Sequence, residues 1–237
     1  MATQVPRKDR PQPIASYSHT LALLGIMAAA ISLSSLPSAG PVAHPTQRNV
    51  IPGFLESLAF EAGGLYFAWV GVHWKGGNLF ALMGHHWTSW RTVLVDVAAA
   101  APFWMIWEAT AYAVWELLGP ARDSQQSIFP VRGAAEIIVW IALSSAAGFC
   151  EELIYRGYFQ RQFAALTGST AAGVVVQGIV FGLSHPRGWK AVVVISVLGM
   201  LYGVLAAWRK DLKPGMLAHG LSDVWEGWLK FAWMFPK

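Results

Sequence analysis

Two adjacent glutamates and an arginine lie within a long apolar stretch of the sequence. Glu151, Glu152 and Arg156 follow the apolar residues 137–143 and precede the aromatic-rich residues 157–159. Ionisable side chains at membrane depth are costly, so they usually face a protein interior or a wet cavity and mark function. The stretch is therefore the first candidate for a functional site, although two acids at a solvated helix end would give the same pattern.

The spacing of these residues predicts different roles for the two glutamates. Glu152 and Arg156 are four residues apart with the acid N-terminal, the favourable order for an ion pair on a helix. Glu151 lies about 100° around the helix from Glu152, so Arg156 cannot easily serve both acids. We expect Glu152 to pair with Arg156 and Glu151 to lack a cation. A carboxylate of that kind, in a poorly solvating interior, suits a general base near neutral pH.

The composition is typical of an integral membrane protein. Of the 237 residues, 55% are hydrophobic and 13% are charged, whereas soluble domains carry about 25% charged residues. The single cysteine, Cys150, excludes an intrachain disulfide and a cysteine-based zinc site. The sequence has no basic run with interleaved aromatic residues, so we expect no nucleic acid. The expected partners are membrane lipids and a membrane-associated peptide or protein substrate.

Apolar runs separated by polar loops predict an all-α, polytopic membrane helix bundle of about seven transmembrane helices, with six or eight as alternatives. The first run could also be a signal peptide, with a basic n-region before it and small residues after it, but we favour an uncleaved helix. Residues 79–91 are too short to span and contain histidine and tryptophan, which predicts an interfacial helix along the surface. The predicted spans are 14–38, 54–74, 92–118, 132–166, 170–185, 189–208 and 214–235.

The sequence shows no internal repeat, and we expect one membrane domain. Residues 1–131 form its N-terminal transmembrane helices and interfacial helix, and residues 132–237 form its catalytic core. The basic clusters at 7–10 and 209–213 favour a cytoplasmic N-terminus in the cell (inner) membrane. Because Arg156 and the second cluster share a side, we also expect the catalytic cavity to open toward the cytoplasm.

Two further helices are predicted to bring histidines to the depth of Glu151. Gly168 lies 17 residues after Glu151 and 17 before His185, so an antiparallel helix pair that turns at Gly168 places both side chains at equal depth. The last predicted helix carries His219 and Asp223, four residues apart and on one face. One carboxylate, two imidazoles and an aspartate then converge from three helices.

Other reactive side chains are weaker candidates. His85 and His86 are adjacent, so on a helix they point apart, and we interpret them as an interfacial pair. Ser184 and His185 are likewise neighbours that point in different directions, which disfavours a serine protease. Cys150 is a poor candidate for a nucleophile, and the absence of a His-Glu-x-x-His motif excludes the common zincin pattern.

Three acids in the N-terminal half have less specific surroundings. Glu56 and Glu61 lie in the first turns of the second predicted span, where they would complement the helix dipole. Glu108, near the middle of the third span, either lines a cavity or pairs with a polar neighbour. Both alternatives stay open for Glu108.

Three motifs in the C-terminal half resemble those of the CAAX prenyl protease and bacteriocin-processing family of intramembrane glutamate proteases. The resemblance implies hydrolysis of peptide bonds within or at the membrane, with prenylated CAAX tails as the best-known substrates. It implies that Glu151 activates a water molecule and that Glu152 and Arg156 hold the helix and the Glu151 carboxylate in place. It also implies that His185 helps to position the water. His219 and Asp223 would stabilise the oxyanion. The motifs are Glu151-Glu152-x-x-x-Arg156, Phe181-x-x-x-His185 and His219-x-x-x-Asp223.

Asp223 departs from the family pattern, because many relatives have asparagine there. An amide can donate a hydrogen bond to an oxyanion, whereas an ionised carboxylate cannot. Asp223 is then protonated, or it orients His219, or it binds a metal. Glu151, His185, His219 and Asp223 are a ligand set that could hold one divalent ion, such as zinc, with a water position open. The sequence leaves a metal-free scheme and a metal scheme open.

A catalytically silent membrane protein of the same fold is the alternative function. Such a protein would act in immunity to a peptide toxin, in secretion or as a scaffold. Glu151, His185 and His219 are intact and favour the enzyme, whereas Asp223 in place of asparagine keeps the alternative open. A transporter would need a polar path through both leaflets, and the charges here cluster toward one side.

Overall fold

Every regular element in the described part of the chain is helical. The computed structural model describes residues 11–34, 50–119, 133–185 and 187–234, with side chains up to residue 226. The predicted all-α class is confirmed. The helices are α1 Tyr17–Ser34, α2 Ile51–Trp74, α3 Trp90–Leu118, α4 Ala134–Thr167, α5 Thr170–Leu183, α6 Trp189–Arg209 and α7 Lys213–Met234.

Three of these helices are long and apolar enough to cross a membrane by length and composition. They are α3, α4 and α6, and α1 and α5 are shorter apolar helices. A span needs about 20 mainly apolar residues, so the chain is an integral membrane protein. The number of seven spans stays a prediction.

The segment between α2 and α3 differs from the predicted interfacial helix. Only Phe80–Met83 form a short 3-10 helix, and α3 starts after Ser89, which caps it by accepting from the Thr92 backbone N–H. Gly84 has a φ of 100°, a conformation that is readily adopted only by glycine. The chain therefore leaves the helix at Gly84 and turns the following histidine toward the bundle.

A π-helical segment interrupts α4 at the Glu-Glu-Arg motif. It runs from Glu152 to Phe159, between the α-helical parts Ala134–Glu151 and Gln160–Thr167. All eight of its residues are buried. Wide π-helical turns are rare and are frequent at functional sites, so the backbone itself marks this position.

Gly168 folds α5 back against α4, as the sequence predicts. Its φ of 71° places it in the left-handed region that ends helices. Ser169 then caps α5 by accepting from the Ala172 backbone N–H. The two helices form the antiparallel pair on which the predicted depth of His185 depends.

Glycines let the backbones of α4 and α7 come into contact. A Cβ added at Gly148 would lie 2.6 Å from the backbone nitrogen of Gly220, so no larger residue fits there. Small residues at crossings permit such close approach in membrane bundles. The contact places His219, the neighbour of Gly220, beside the acids of α4.

Candidate active site

Glu151, His185 and His219 meet at the centre of the bundle. The distance from Glu151 Oε1 to His185 Nε2 is 3.8 Å, and that from Glu151 Oε2 to His219 Nε2 is 3.4 Å. Asp223 Oδ2 lies 3.9 Å from His219 Nε2. The structure therefore brings together the residues that the spacing around Gly168 predicts, from α4, α5 and α7.

The Glu152–Arg156 ion pair is formed and fully enclosed. Arg156 Nη1 lies 3.0 Å from Glu152 Oε1, and the two residues are 1% and 0% exposed. Arg156 also donates to the Gly199 carbonyl at 3.1 Å, and its guanidinium lies over the rings of Phe181 and Tyr202 at 4.4 and 5.0 Å. Arg156 thereby ties α4 to α5 and α6 and closes the floor of the site.

Glu152 also orients His219. Its Oε1 lies 3.1 Å from His219 Nδ1, so an Nδ1–H donates to the carboxylate. His219 Nε2 is then left facing Glu151 and Asp223. A carboxylate on one ring nitrogen fixes both the orientation of an imidazole and the chemistry of its other nitrogen. Glu152 thus pairs with Arg156 and His219, whereas Glu151 faces two histidines and has no arginine or lysine partner among the described residues.

His185 is held by the backbone of its own helix. Its Nδ1 lies 2.8 Å from the Phe181 carbonyl oxygen, which can only accept a hydrogen bond. In the neutral ring the proton is then on Nδ1, and Nε2 carries the lone pair that faces Glu151. The 3.8 Å gap between Nε2 and Glu151 is long for a direct hydrogen bond and suits one bridging water.

Ser184 lies closer to His185 than the sequence predicts. Its Oγ is 3.2 Å from His185 Nδ1, because α5 ends at Leu183 and the two residues are no longer on a regular helix. The Ser184 hydroxyl nevertheless donates to the Phe181 carbonyl at 2.7 Å. With its proton held by the backbone, Ser184 still does not form a nucleophile–base pair with His185.

A cavity of about 570 Å³ leads away from Glu151. Most of its walls come from the C-terminal ends of α1 and α5, the N-terminal half of α2, α4 as far as Tyr155, and α7 from His219 onward, and α3 and α6 add residues nearer their middles. The helix ends among these walls lie at the end of the bundle opposite the Gly168 turn and the 210–212 loop. The prediction that the cavity opens on the side of the 209–213 cluster is therefore wrong. The enclosed Arg156 and Tyr202 separate the site from that side.

Comparison with known families identifies the part of the chain that contains these residues. A family model described as Rce1-like, type II CAAX prenyl endopeptidase Rce1-like, matches residues 133–225. This segment, less than half of the chain, is similar to the Rce1-like family. The resemblance drawn from the motifs is confirmed, and the Rce1-like family is a family of proteases. No curated protein and no solved structure shows significant similarity to the chain.

Glu61 also reaches the site, although it lies outside the Rce1-like segment. Its carboxyl interacts electrostatically with those of Glu151 and Asp223, and it lines the cavity together with Glu56. The sequence analysis assigned both α2 acids to the helix dipole. A signal for their role was present, because Gly53, Glu56, Ser57 and Phe60 repeat at spacings of three and four residues and share a helix face with Glu61.

The predicted metal ligands do not form a compact ligand set. Among the described residues, the group of three whose ligand atoms lie within 4.8 Å of one another is His85, Asp96 and Asp211. Glu151, His185, His219 and Asp223 do not form such a group. A metal site in a hydrolase needs three protein ligands around one ion, so the observed geometry does not favour the metal scheme.

The His85, Asp96 and Asp211 group is an ion-pair network rather than a metal site. Asp96 Oδ1 lies 3.2 Å from Arg209 Nη2, and Asp211 Oδ2 lies 2.8 Å from Lys213 Nζ. His85 contacts both acids. Because each carboxylate already has a cation, a metal ion would have to displace one. His85 therefore joins this network although its side chain is 43% exposed, and His86 is exposed as well.

Glu108 lies outside the cavity walls. It is partly buried on α3, where it interacts with Trp104 and with the Glu226 carboxyl. Its Oε1 has no hydrogen-bond partner among the described residues, so pairing with a polar neighbour stays a prediction. No role in the site follows for Glu108.

Proposed function

We propose that this protein is an intramembrane endopeptidase in which Glu151 activates water for attack on a peptide bond. The observation that carries the proposal is the placement of the Glu151 carboxylate. One of its oxygens faces His185 and the other faces His219, whereas the adjacent Glu152 is occupied by Arg156 and His219. The similarity of residues 133–225 to a protease family supports the same conclusion.

The first step is attack by water. A water in the gap between Glu151 and His185 loses a proton to the Glu151 carboxylate while its oxygen bonds to the peptide carbonyl carbon. The carbonyl oxygen becomes an oxyanion. His185 Nε2 accepts a hydrogen bond from the second O–H of the water. The water is thereby oriented so that a lone pair of its oxygen points at the carbonyl carbon.

His219 is suited to stabilise the oxyanion. Its Nδ1–H is held by Glu152. In the doubly protonated ring, the Nε2–H then points into the cavity as a fixed donor. Asp223 and Glu151 favour that protonated ring by charge. When the intermediate collapses, the C–N bond breaks and Glu151 returns its proton to the leaving nitrogen, which yields a carboxylic acid and an amine. Proton transfer between these two products gives the carboxylate and the ammonium ion.

The metal-dependent version of this reaction is the less favoured scheme. If a divalent ion binds, His185, His219 and the Glu151 and Asp223 carboxylates are the residues that would hold it, and the ion would supply a Lewis acid for the carbonyl and a more acidic water. These residues do not present three ligand atoms within 4.8 Å of one another. We therefore assign the proton transfers to the side chains alone.

The proposed substrates are peptides or proteins at the membrane, with prenylated CAAX-type tails as the first class to test. A cavity of about 570 Å³ is within the range of roughly 300–1,000 Å³ that holds a small ligand or a short peptide segment. Its walls are helices of a membrane bundle, so lipids and membrane-anchored chains are the expected neighbours.

Cleavage by the purified protein in lipid nanodiscs tests the proposal. The substrates are membrane-tethered reporter peptides with and without a prenyl group, and the variant is Glu151→Gln, which keeps the shape and removes the proton acceptor. We expect turnover to fall by about 10²–10⁴-fold while the fold is retained. Glu116→Gln is the matched control, because Glu116 is exposed on α3 away from the cavity.

The same experiment separates the enzyme from the silent alternative. A scaffold or immunity protein would cleave none of the peptides, and cells would tolerate Glu151→Gln without a phenotype. Full complementation by Glu151→Gln, with no cleaved membrane peptide accumulating in the wild type, would reject the protease.

Cysteine labelling identifies the face from which substrates enter. With a cytoplasmic N-terminus, the turn at Gly168 is cytoplasmic and the cavity opens on the other side. In a Cys150→Ala background, we expect an impermeant reagent to modify Glu56→Cys in intact cells and to leave Gly168→Cys unmodified. The reverse pattern would place the N-terminus outside and the cavity mouth in the cytoplasm.

A further inference from the structure

The cavity beside Glu151 is lined by more acids than bases. Its walls carry one Arg or Lys residue, Arg187, on the link between α5 and α6. The histidines add charge only when protonated. The acidic lining residues are Glu56, Glu61, Glu151, Asp223 and Glu226.

Among the residues that the structure describes, the two acids of α2 differ from other acids of the bundle in their partners. Within the described residues, no ion pair joins Glu56 or Glu61 to a lysine or arginine, whereas Glu152, Asp96 and Asp211 each have one. Glu61 instead interacts with the carboxyl of Glu151, and acids that have no cation nearby are costly in a partly buried wall. A positively charged ligand would remove that cost.

Two buried acceptor groups also point to a ligand in this cavity. Ser144 is 2% exposed and lines the cavity, and its Oγ has no hydrogen-bond partner in the part of the chain that the structure describes. The same holds for Glu151 Oε2, in a residue that is 8% exposed. Buried polar groups normally have partners, so these atoms are places where a bound molecule would donate hydrogen bonds.

We infer that the cavity selects substrates with a lysine or arginine side chain next to the cleaved bond, held by Glu61 and steered by Glu56. This inference rests on the proposed peptidase function. Glu61 faces Glu151, so a cation bound to it is close to the bond that Glu151 attacks. Glu56 lies five residues earlier on α2, about 7.5 Å along the helix toward the mouth. An acidic path of this kind attracts cationic ligands over a distance.

Matched peptides test the inference. Membrane-tethered substrates that differ at one position beside the cleaved bond carry lysine, norleucine or glutamate, where norleucine keeps the aliphatic chain and removes the charge. For the wild type we expect kcat/KM to favour lysine over norleucine by roughly 10- to 100-fold, since a charge-assisted hydrogen bond has about that effect. The preference should shrink at high salt.

Two substitutions of Glu61 sharpen the test. Glu61→Gln should reduce the ratio of kcat/KM for the lysine and norleucine peptides to near unity. Glu61→Lys should shift the preference toward the glutamate peptide. Glu116→Gln, outside the cavity, should keep the wild-type preference. No preference in the wild type would overturn the inference while the peptidase stands. An equal slowing of both peptides by Glu61→Gln would also overturn it, and would make Glu61 a positioning residue for Glu151.

Binding separates this inference from the proposed function. If no peptide is cleaved, the peptidase fails, and affinities of the same peptides for the wild-type protein in nanodiscs decide the selectivity of the cavity. Tighter binding of the lysine peptide than of the norleucine peptide, lost in Glu61→Gln, would support an acidic cation-selective cavity. Equal binding of the two peptides would reject it.

Discussion

Two clusters of ionisable side chains in this bundle differ in their ratio of acids to bases. In the network near the start of α3, Asp96 pairs with Arg209 and Asp211 pairs with Lys213. In the cavity, Glu151 and Asp223 face histidines, and Glu61 adds a third carboxylate. In the first cluster each acid is paired with a base of the same cluster. In the second, hydrogen-bond acceptor atoms face the cavity.

The difference indicates what each cluster does. Buried charges are tolerated when they are paired and hydrogen-bonded, and a paired network holds the loop before α3 against α6 and α7. Uncompensated acids gain nothing for folding, so their presence is better explained by a reaction or a ligand. The Glu152–Arg156 pair belongs with the structural type although it is one residue from the base. Of the two adjacent glutamates, Glu152 is therefore structural and Glu151 belongs to the reactive cluster.

The largest stability effect is expected for Arg156→Ala. Removing the cation leaves Glu152 as an enclosed, unpaired charge, which costs about 3–5 kcal/mol of unfolding free energy. Unfolding in detergent micelles measures the loss. The double variant Arg156→Met with Glu152→Gln removes both charges and should lose less than Arg156→Ala alone. A single variant as stable as the wild type would show that the pair is not structural.

A smaller loss is expected for Asp96→Asn in the network. The amide keeps one acceptor but deprives Arg209 of its counter-charge and also disturbs the Trp87 Nε1 hydrogen bond at 2.7 Å. We expect roughly 1–3 kcal/mol, less than for Arg156→Ala, because Arg209 is 24% exposed at its side chain and is screened by solvent. Cleavage per folded molecule should be unchanged. A loss of turnover without a loss of stability would place this network in the reaction.

Asp223→Asn changes the chemistry of the cavity with little effect on stability. In the metal-free scheme the amide can donate to the oxyanion, so we expect activity to persist or to rise. Metal content and kcat/KM are measured on the same preparation, with Glu116→Gln as control. A joint fall of metal content and activity would instead support the metal scheme with Asp223 as a ligand.

The smallest expected effect is that of Glu151→Gln on stability. Glu151 has no lysine or arginine partner among the described residues, and its Oε2 makes no hydrogen bond there, so its charge contributes less to the fold than that of Glu152. We expect the unfolding free energy to stay within about 1 kcal/mol of wild type or to rise, since a buried charge is replaced by a neutral group. Asp96→Asn is the contrasting variant. A loss for Glu151→Gln as large as that for Asp96→Asn would remove the distinction between the two clusters.

The sequence by itself determined the local geometry of the site. The Glu152–Arg156 pair follows from the four-residue spacing on one helix, and the Glu151–His185 contact follows from equal spacing about a single turn at Gly168. Such relations depend on helix rise and periodicity alone. The family motifs are short and local in the same way, which is why the Rce1-like segment could be predicted from them.

Only the tertiary structure decided which distant elements complete the site. Glu61 reaches it because α2 packs against α4 with its acidic face inward, and an amphipathic pattern on one helix does not specify the partner. The side of the cavity mouth depends on how Arg156 and Tyr202 fill the bundle. His85 reaches Asp211 because the helix ends at Gly84. Its side chain therefore does not point in the direction expected on a continuous helix. Contacts between elements far apart in sequence are set by packing of the whole bundle, which no local spacing records.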